Sequence, residues 1–212
     1  MNIDWIPLLV GLFFGLLPAR KLLPANCHYV GYKRLRKVVV ISPISRRTRR
    51  KRWRFPLVWV DLLRGYATAW LLTEAIQDAP ESTRIEHSVG LLITAVLLLA
   101  ALWMQTEYRT KTHAKDQTVS PTGFLIGMMV ALLPPMVAIA ALMIGVAATI
   151  AAGTFAFGYG LASVVTLATG ILFTQNIPQA GTWSLLVAFP LLLSWVRRTD
   201  LVMTVHLVGS HS

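Results

Sequence analysis

The stretch VDLLRGYATAWLL, residues 60–72, sets an acid and a base inside an otherwise apolar run. Asp61 and Arg64 are three positions apart, so on a helix they share one face with Gly65 and Thr68. Ionisable residues inside a membrane segment are by default candidates for a functional site. The plainer expectation is a structural ion pair near the cytoplasmic interface, with Arg64 extending its charged head toward the polar boundary. Other reactive residue types are poorly placed for chemistry. His28, His87, His113, His206 and His211 are scattered without ligand spacing, so no metal is expected. Ser163 and Ser194 have no recognisable base partner. Glu74 and Glu107 fall at helix ends, where solvated carboxylates are ordinary. Cys27, the single cysteine, excludes an intramolecular disulfide and the usual multi-cysteine zinc patterns.

The densest charge lies in SRRTRRKRWRFP, residues 45–56, where Arg46, Arg47, Arg49, Arg50, Lys51, Arg52 and Arg54 occur with no acid among them. Thirteen of the 20 Lys and Arg residues lie between Arg20 and Pro56. No stacking aromatics or nucleic-acid motif accompany the run, so nucleic acid is not the expected partner. It sits a few residues before an apolar helix, with Trp53 and Trp59 at the level of an aromatic belt, and the nearest polyanion is a membrane leaflet. Each cation close to an anionic surface contributes on the order of 1 kcal/mol.

The elements that must position these residues are membrane helices. The chain is 55% hydrophobic and 14% charged, outside the range of an ordinary soluble domain. Between Asp116 and Arg197 there are 80 consecutive positions without a formal charge. Each charge at the bilayer centre costs roughly 2.5 to 3.5 kcal/mol on insertion scales, which explains such a gap. The first apolar run, WIPLLVGLFFGLLPA, has Asp4 before it and Arg20 and Lys21 after it, the reverse of a secretory signal, and reads as a helix entering from outside. The positive-inside rule then puts residues 20–56 in the cytoplasm, QDAPESTRIE outside, and YRTKTHAKD back in the cytoplasm.

Residues 124–174 are about fifty apolar positions, and Pro134-Pro135 divides them because two adjacent rings remove amide donors and disfavour helix continuation. The expected division is a short helix ending near Leu133, a second from about Met136 to Ala152 and a third from about Phe157 to Thr174. The chain thus reads as an all-α, polytopic transmembrane bundle of about seven short helices, one domain over residues 1–212, with the N-terminus outside and the C-terminus cytoplasmic. Small residues step by four along two of these helices: Ala141, Gly145, Thr149 and Gly153, then Gly158, Ala162, Thr166 and Gly170. Such ladders let backbones approach closely in lipid, and they predict helix packing rather than a substrate groove.

Short helices, seven passes, the two terminus placements and VDLLRGYATAWLL together resemble the bacterial acyl-phosphate:glycerol-3-phosphate acyltransferases, an integral membrane family. That family carries Asp-x-x-Lys-Gly at this point, here Asp61, Arg64 and Gly65. IGMMVALLPPMVAIAALMIGVAATI followed by YGLASVVTLATGILF is similar to its fourth to sixth helices, including the proline after a short helix and Leu161-Ala162-Ser163. The resemblance also implies two cytoplasmic glycine-rich phosphate cradles, where bare backbone amides converge without Cβ atoms in the way. Here the first reads VGYKRLRK and keeps only Gly31. No glycine occurs between Gly90 and Gly123, so EYRTKTHAKDQTVSPTG cannot form the second, and the family's histidine-proline pair is missing from ALWMQ.

The expected function is therefore a non-catalytic integral membrane subunit or scaffold with an acyltransferase-like frame. Its basic loop would dock it to a larger inner-membrane complex, to other membrane subunits or to anionic phospholipids, without a cofactor. The alternative is a diverged, active acyltransferase of bacterial phospholipid synthesis, in which Asp61, Arg64, Gly65, Lys111, Lys115 and the loop arginines replace the lost cradles. A small transporter is a third reading, set back by the lack of polar residues in the long uncharged half.

Overall fold

A computed structural model describes residues 3–17, 28–30, 56–76, 84–111 and 114–205 of the chain. Seven helices lie among the described residues: α1 Trp5–Leu16, α2 Pro56–Ala75, α3 Arg84–Gln105, α4 Thr122–Leu132, α5 Pro135–Ala152, α6 Phe155–Thr174 and α7 Ile177–Val196. The paired prolines end α4, and Pro135 opens α5 at a position whose amide has no helical partner anyway. Gly153 closes α5 in the left-handed conformation, φ 70°, which a residue without Cβ adopts at no steric cost. Asn176 caps α7 by accepting a hydrogen bond from the Gln179 amide at 3.2 Å. The three helices expected over 124–174 thus form, with a third beginning at Phe155.

Helix directions alternate. The Asp4 amide donates to the Ala75 carbonyl at 3.0 Å, joining the start of α1 to the end of α2. Gln105, at the end of α3, reaches carbonyls at the end of α1. The two-residue breaks at 153–154 and 175–176 fold α6 back along α5 and α7 back along α6, while the break at 133–134 leads α5 away from the body of α4. One end of the bundle consequently gathers the ends of α1, α3 and α7 and the starts of α2 and α4.

That end carries a structure the sequence reading did not contain. Four strands, β1 His28–Val30, β2 Glu107–Lys111, β3 Ala114–Ser120 and β4 Asp200–Val205, form a sheet in the order β1-β4-β3-β2. β2 and β3 make an antiparallel hairpin, with Tyr108 opposite Thr118. β4 pairs parallel to β3, Val119 opposite Val202, and antiparallel to β1, Tyr29 opposite Thr204. The segment expected to be a cytoplasmic loop is therefore mostly strand. Its β-branched and aromatic residues, Tyr108, Thr110, Thr118 and Val119, favour a pleated ribbon over a helix.

Two apolar clusters hold the helices. Ala69, Leu72, Leu98, Leu102, Phe124 and Met128 pack α2, α3 and α4 together with Leu186 of α7. Val137, Ala141, Ala162, Trp183 and Val187 pack α5, α6 and α7. Four helical segments are long and apolar enough to cross a membrane: Ser88–Gln105, Pro135–Ala152, Phe155–Thr174 and Ile177–Val196. Between 28% and 39% of each is buried, and large apolar side chains such as Met143, Ile150, Leu172 and Trp195 face outward, as they do on helices in lipid. The chain is a membrane protein built as a helical bundle.

Candidate functional site

Helix α1 ends at Leu16, and its last carbonyls have no amide of their own helix to accept from. Leu17 turns its amide back to the Phe13 carbonyl, which leaves those of Phe14 and Gly15. Arg64 and Gln105 take them. Arg64 Nη2 donates to the Phe14 carbonyl at 3.1 Å and also to the Leu17 carbonyl. Gln105 Nε2 donates to the Gly15 and Leu17 carbonyls, both at 2.7 Å. A cation at this end of a helix also meets the negative end of its dipole.

The rest of the guanidinium is equally occupied. Nη1 donates to Asp61 Oδ1 at 2.9 Å, one turn back on α2. The Phe124 ring of α4 lies 5.9 Å from Cζ, within cation-π range. Arg64 is 5% exposed, so its side of the ion pair with Asp61 is packed inside the bundle, the guanidinium directed toward the start of α2 and the end of α1. Asp61, by contrast, stays partly open, its side chain 23% exposed. Arg64 Nε and Thr68 Oγ1 are buried without a protein partner.

Glycines allow the close approach. A Cβ on Gly15 would stand 2.9 Å from Thr68 Cγ2 and 3.1 Å from Ala101 Cβ, so α1 settles between α2 and α3 only with a bare backbone there. A Cβ on Gly65 would stand 1.9 Å from the Phe124 carbonyl oxygen, which fixes Gly65 as a crossing point of α2 on α4.

Lys111 closes β2 opposite Ala114, and Lys115 follows in β3, so both belong to the hairpin. The run from Arg46 to Arg54 lies outside the described residues. Its flanking anchors, Val30 in β1 and Pro56 in α2, are both at the sheet end.

The small-residue ladders are distributed as follows. Gly145 would place a Cβ 3.0 Å from Ala162 Cβ, and Gly158 would place one 1.8 Å from Thr149 Oγ1, which sets α5 and α6 antiparallel in near backbone contact. Ala141 and Thr166 are fully buried. Gly170 faces Ala180 of α7, 3.0 Å from a built Cβ, while Gly153 serves as the cap of α5.

Sequence reasoning passed over Gln105 and Tyr159. A lone amide ending an apolar helix was the available signal for the first. Tyr159 joins the start of α6 to the β3–α4 junction, its hydroxyl 2.5 Å from Ser120 Oγ and 2.8 Å from Thr122 Oγ1. At the same end, the Arg197 guanidinium lies over the Trp103 ring, 5.1 Å from its centre. Among the described residues, no three His, Cys, Asp or Glu side chains gather to hold a metal.

No protein-family model, curated protein or solved structure matches the chain.

Proposed function

We propose that this protein is a non-catalytic scaffold of the bacterial inner membrane, an acyltransferase-like helical frame that docks to a partner subunit or to anionic phospholipid through its basic loop. All seven helices cross in this reading, with the N-terminus outside and the sheet end in the cytoplasm. The two short ones, α1 and α4, both lean on α2 and cover only part of the hydrocarbon thickness as helix, the chain completing the passage beyond their ends. Thirteen cations between Arg20 and Pro56 favour this orientation.

One observation carries the non-catalytic part. Both terminal nitrogens of Arg64 are engaged by Asp61 and by the end of α1. Of the five N–H groups, one of Nη1 and both of Nη2 are taken. The two that remain, on Nε and Nη1, do not form one edge of the fork, so a bidentate grip on phosphate would require the bonds to α1 to break. The second support is the β2–β3 hairpin, which stands where the family resemblance implies a glycine cradle.

Two measurements test the proposal together. Purified protein given acyl-phosphate and glycerol-3-phosphate should form no lysophosphatidate above background, because fixed donors aimed at phosphate are worth about 10² to 10³ each in rate. Replacing Arg46, Arg47, Arg49 and Arg50 by Gln should weaken copurification of partner or anionic lipid from native membranes. The loss should be salt-sensitive, since exposed charges are screened over about 8 Å at physiological ionic strength. Turnover abolished by Arg64→Ala would favour the active enzyme instead. Unchanged copurification would reduce the run to a topology marker.

A further inference from the structure

At the end of the bundle away from the sheet, a cavity of about 280 Å³ opens between α2, α3, α4 and α7. Its origin is the length of α4. Eleven residues rise about 16 Å, roughly half of the 30 Å hydrocarbon core, and the prolines then redirect the chain. Beyond Leu132 the space that α4 would have filled remains open.

The walls divide by chemistry. Leu98, Leu132, Trp183 and Leu186 form an apolar part. Thr73, Thr94, Thr182 and Gln179 form a polar one, and among the described residues no charged side chain lines the space. The threonine hydroxyls have already spent their hydrogens on their own helices: Thr73 donates to the Ala69 and Trp70 carbonyls, Thr94 to Gly90 and Thr182 to Pro178, at 2.8 to 3.0 Å. Each hydroxyl oxygen keeps its lone pairs, so the threonines accept hydrogen bonds, and the Gln179 amide is the donor on this wall. An anionic head would meet acceptors and no counter-charge, a costly arrangement at low dielectric. A hydroxyl-rich, uncharged head meets what it needs. The volume equals that of about nine waters, enough for a three-carbon polyol and the first carbons of a chain.

We propose that this cavity binds an uncharged monoacylglycerol, its two free glycerol hydroxyls donating within the wall formed by Thr73, Thr94 and Thr182 and the start of its acyl chain lying against Leu98, Leu132 and Trp183. The site is separate from the Arg64 cluster and from the basic loop, so its failure would leave the scaffold reading standing.

The test uses the full chain in phosphatidylcholine nanodiscs containing a small fraction of a monoacylglycerol with a photoreactive group early in its chain. Labelling should concentrate on the cavity residues of α3, α4 and α7 and be displaced by unlabelled monoacylglycerol. It should persist against the same lipid bearing a 3-phosphate and against free glycerol. Ala95→Phe, which fills the cavity from α3, should remove most of the labelling, whereas Val146→Phe on the exposed face of α5 should not. Thr94→Val, nearly isosteric and hence safe for folding, should weaken displacement about three- to ten-fold. Labelling spread over outward faces, or unchanged in both Ala95→Phe and Thr94→Val, would overturn the site. Equal displacement by the phosphate-bearing lipid would overturn the neutral-head assignment, and displacement by glycerol alone would reduce the ligand to a free polyol.

Discussion

Gly65 and Gly127 form a reciprocal crossing in which each presses its bare Cα against the other helix's backbone. A Cβ on Gly65 would stand 1.9 Å from the Phe124 carbonyl oxygen, and one on Gly127 would stand 2.0 Å from that of Leu62. Main-chain atoms cannot rotate aside as a side chain can, so neither helix can yield without moving as a whole. The contact also holds the Phe124 ring beside Arg64, which ties the crossing to the charged cluster.

Gly65→Ala and Gly127→Ala should therefore each destabilise the bundle by about 1–3 kcal/mol or more, as overpacking of a tight interface does. Gly181→Ala is the control, because a Cβ there meets nothing within 4 Å. It should be neutral or stabilise by about 0.5–1 kcal/mol through helix propensity. Unfolding in mild detergent, followed by thermal melting or steric trapping, separates the two outcomes.

Removing the guanidinium should free the end of α1. Arg64→Ala leaves Asp61 and the Phe14 carbonyl without their partner, while Gln105 still holds that of Leu17, a loss of about 3–5 kcal/mol for a broken buried pair. Arg64→Met combined with Asp61→Leu should cost less, because no orphan charge remains. Gln105→Ala should cost about 1–3 kcal/mol, since it strands the Gly15 carbonyl. Protease accessibility after Leu17 should rise in the order Gln105→Ala, then Arg64→Ala. Equal protection in all variants would show that α1 is held by apolar contact alone.

Topology has a direct measurement. In a Cys27→Ser background, a cysteine at Ser82 should react with an impermeant maleimide added to intact cells, and one at Ser210 should react only after permeabilisation. Reaction at Ser210 in intact cells would remove one crossing from residues 124–174 and with it the seven-pass arrangement.

Tyr159→Phe should loosen the junction between α6 and the start of α4. Two hydroxyl contacts are lost, worth about 1 kcal/mol each, while Thr122 can still donate to Ser120 at 3.4 Å. A loss of about 1–2 kcal/mol by thermal melting is expected, with no change in the positions labelled from either side of the membrane.

The helical part was legible because its signals are local. Pro134-Pro135 marks the end of α4 and the start of α5 within two residues, and the four-residue steps of Gly145, Thr149, Gly158 and Ala162 mark the faces that meet. The sheet was hidden for the opposite reason. DLVMTV is a good strand, but its partners are β3, some eighty residues earlier, and β1 near the start, and no local period reports such pairing. The Arg64 cluster lay between these cases. Its Asp61 partner is three residues away and was visible, whereas the Phe14 and Leu17 carbonyls carry no side-chain identity and cannot be read from residue types. Gly127 was overlooked because it stands outside both ladders, and its partner Gly65 lies on a helix about sixty residues earlier.

The strand order also sets a timetable. β4 sits in the interior of the sheet, between β1 and β3, although it follows the seventh helix. Val205, the partner of His28, is translated about 180 residues after it, and at 5–20 residues per second β1 waits roughly ten to thirty-five seconds for its neighbour. Throughout that interval its hydrogen-bonding edge stands open on one side of the membrane while helices are still being inserted. The β2–β3 hairpin waits less, and its edge facing β4 is open for the time it takes to make α4 through α7. Insertion of the last helix and closure of the sheet are thus one event, and a ribosome stalled before Asp200 would leave a bundle that carries two unfinished edges at the same end.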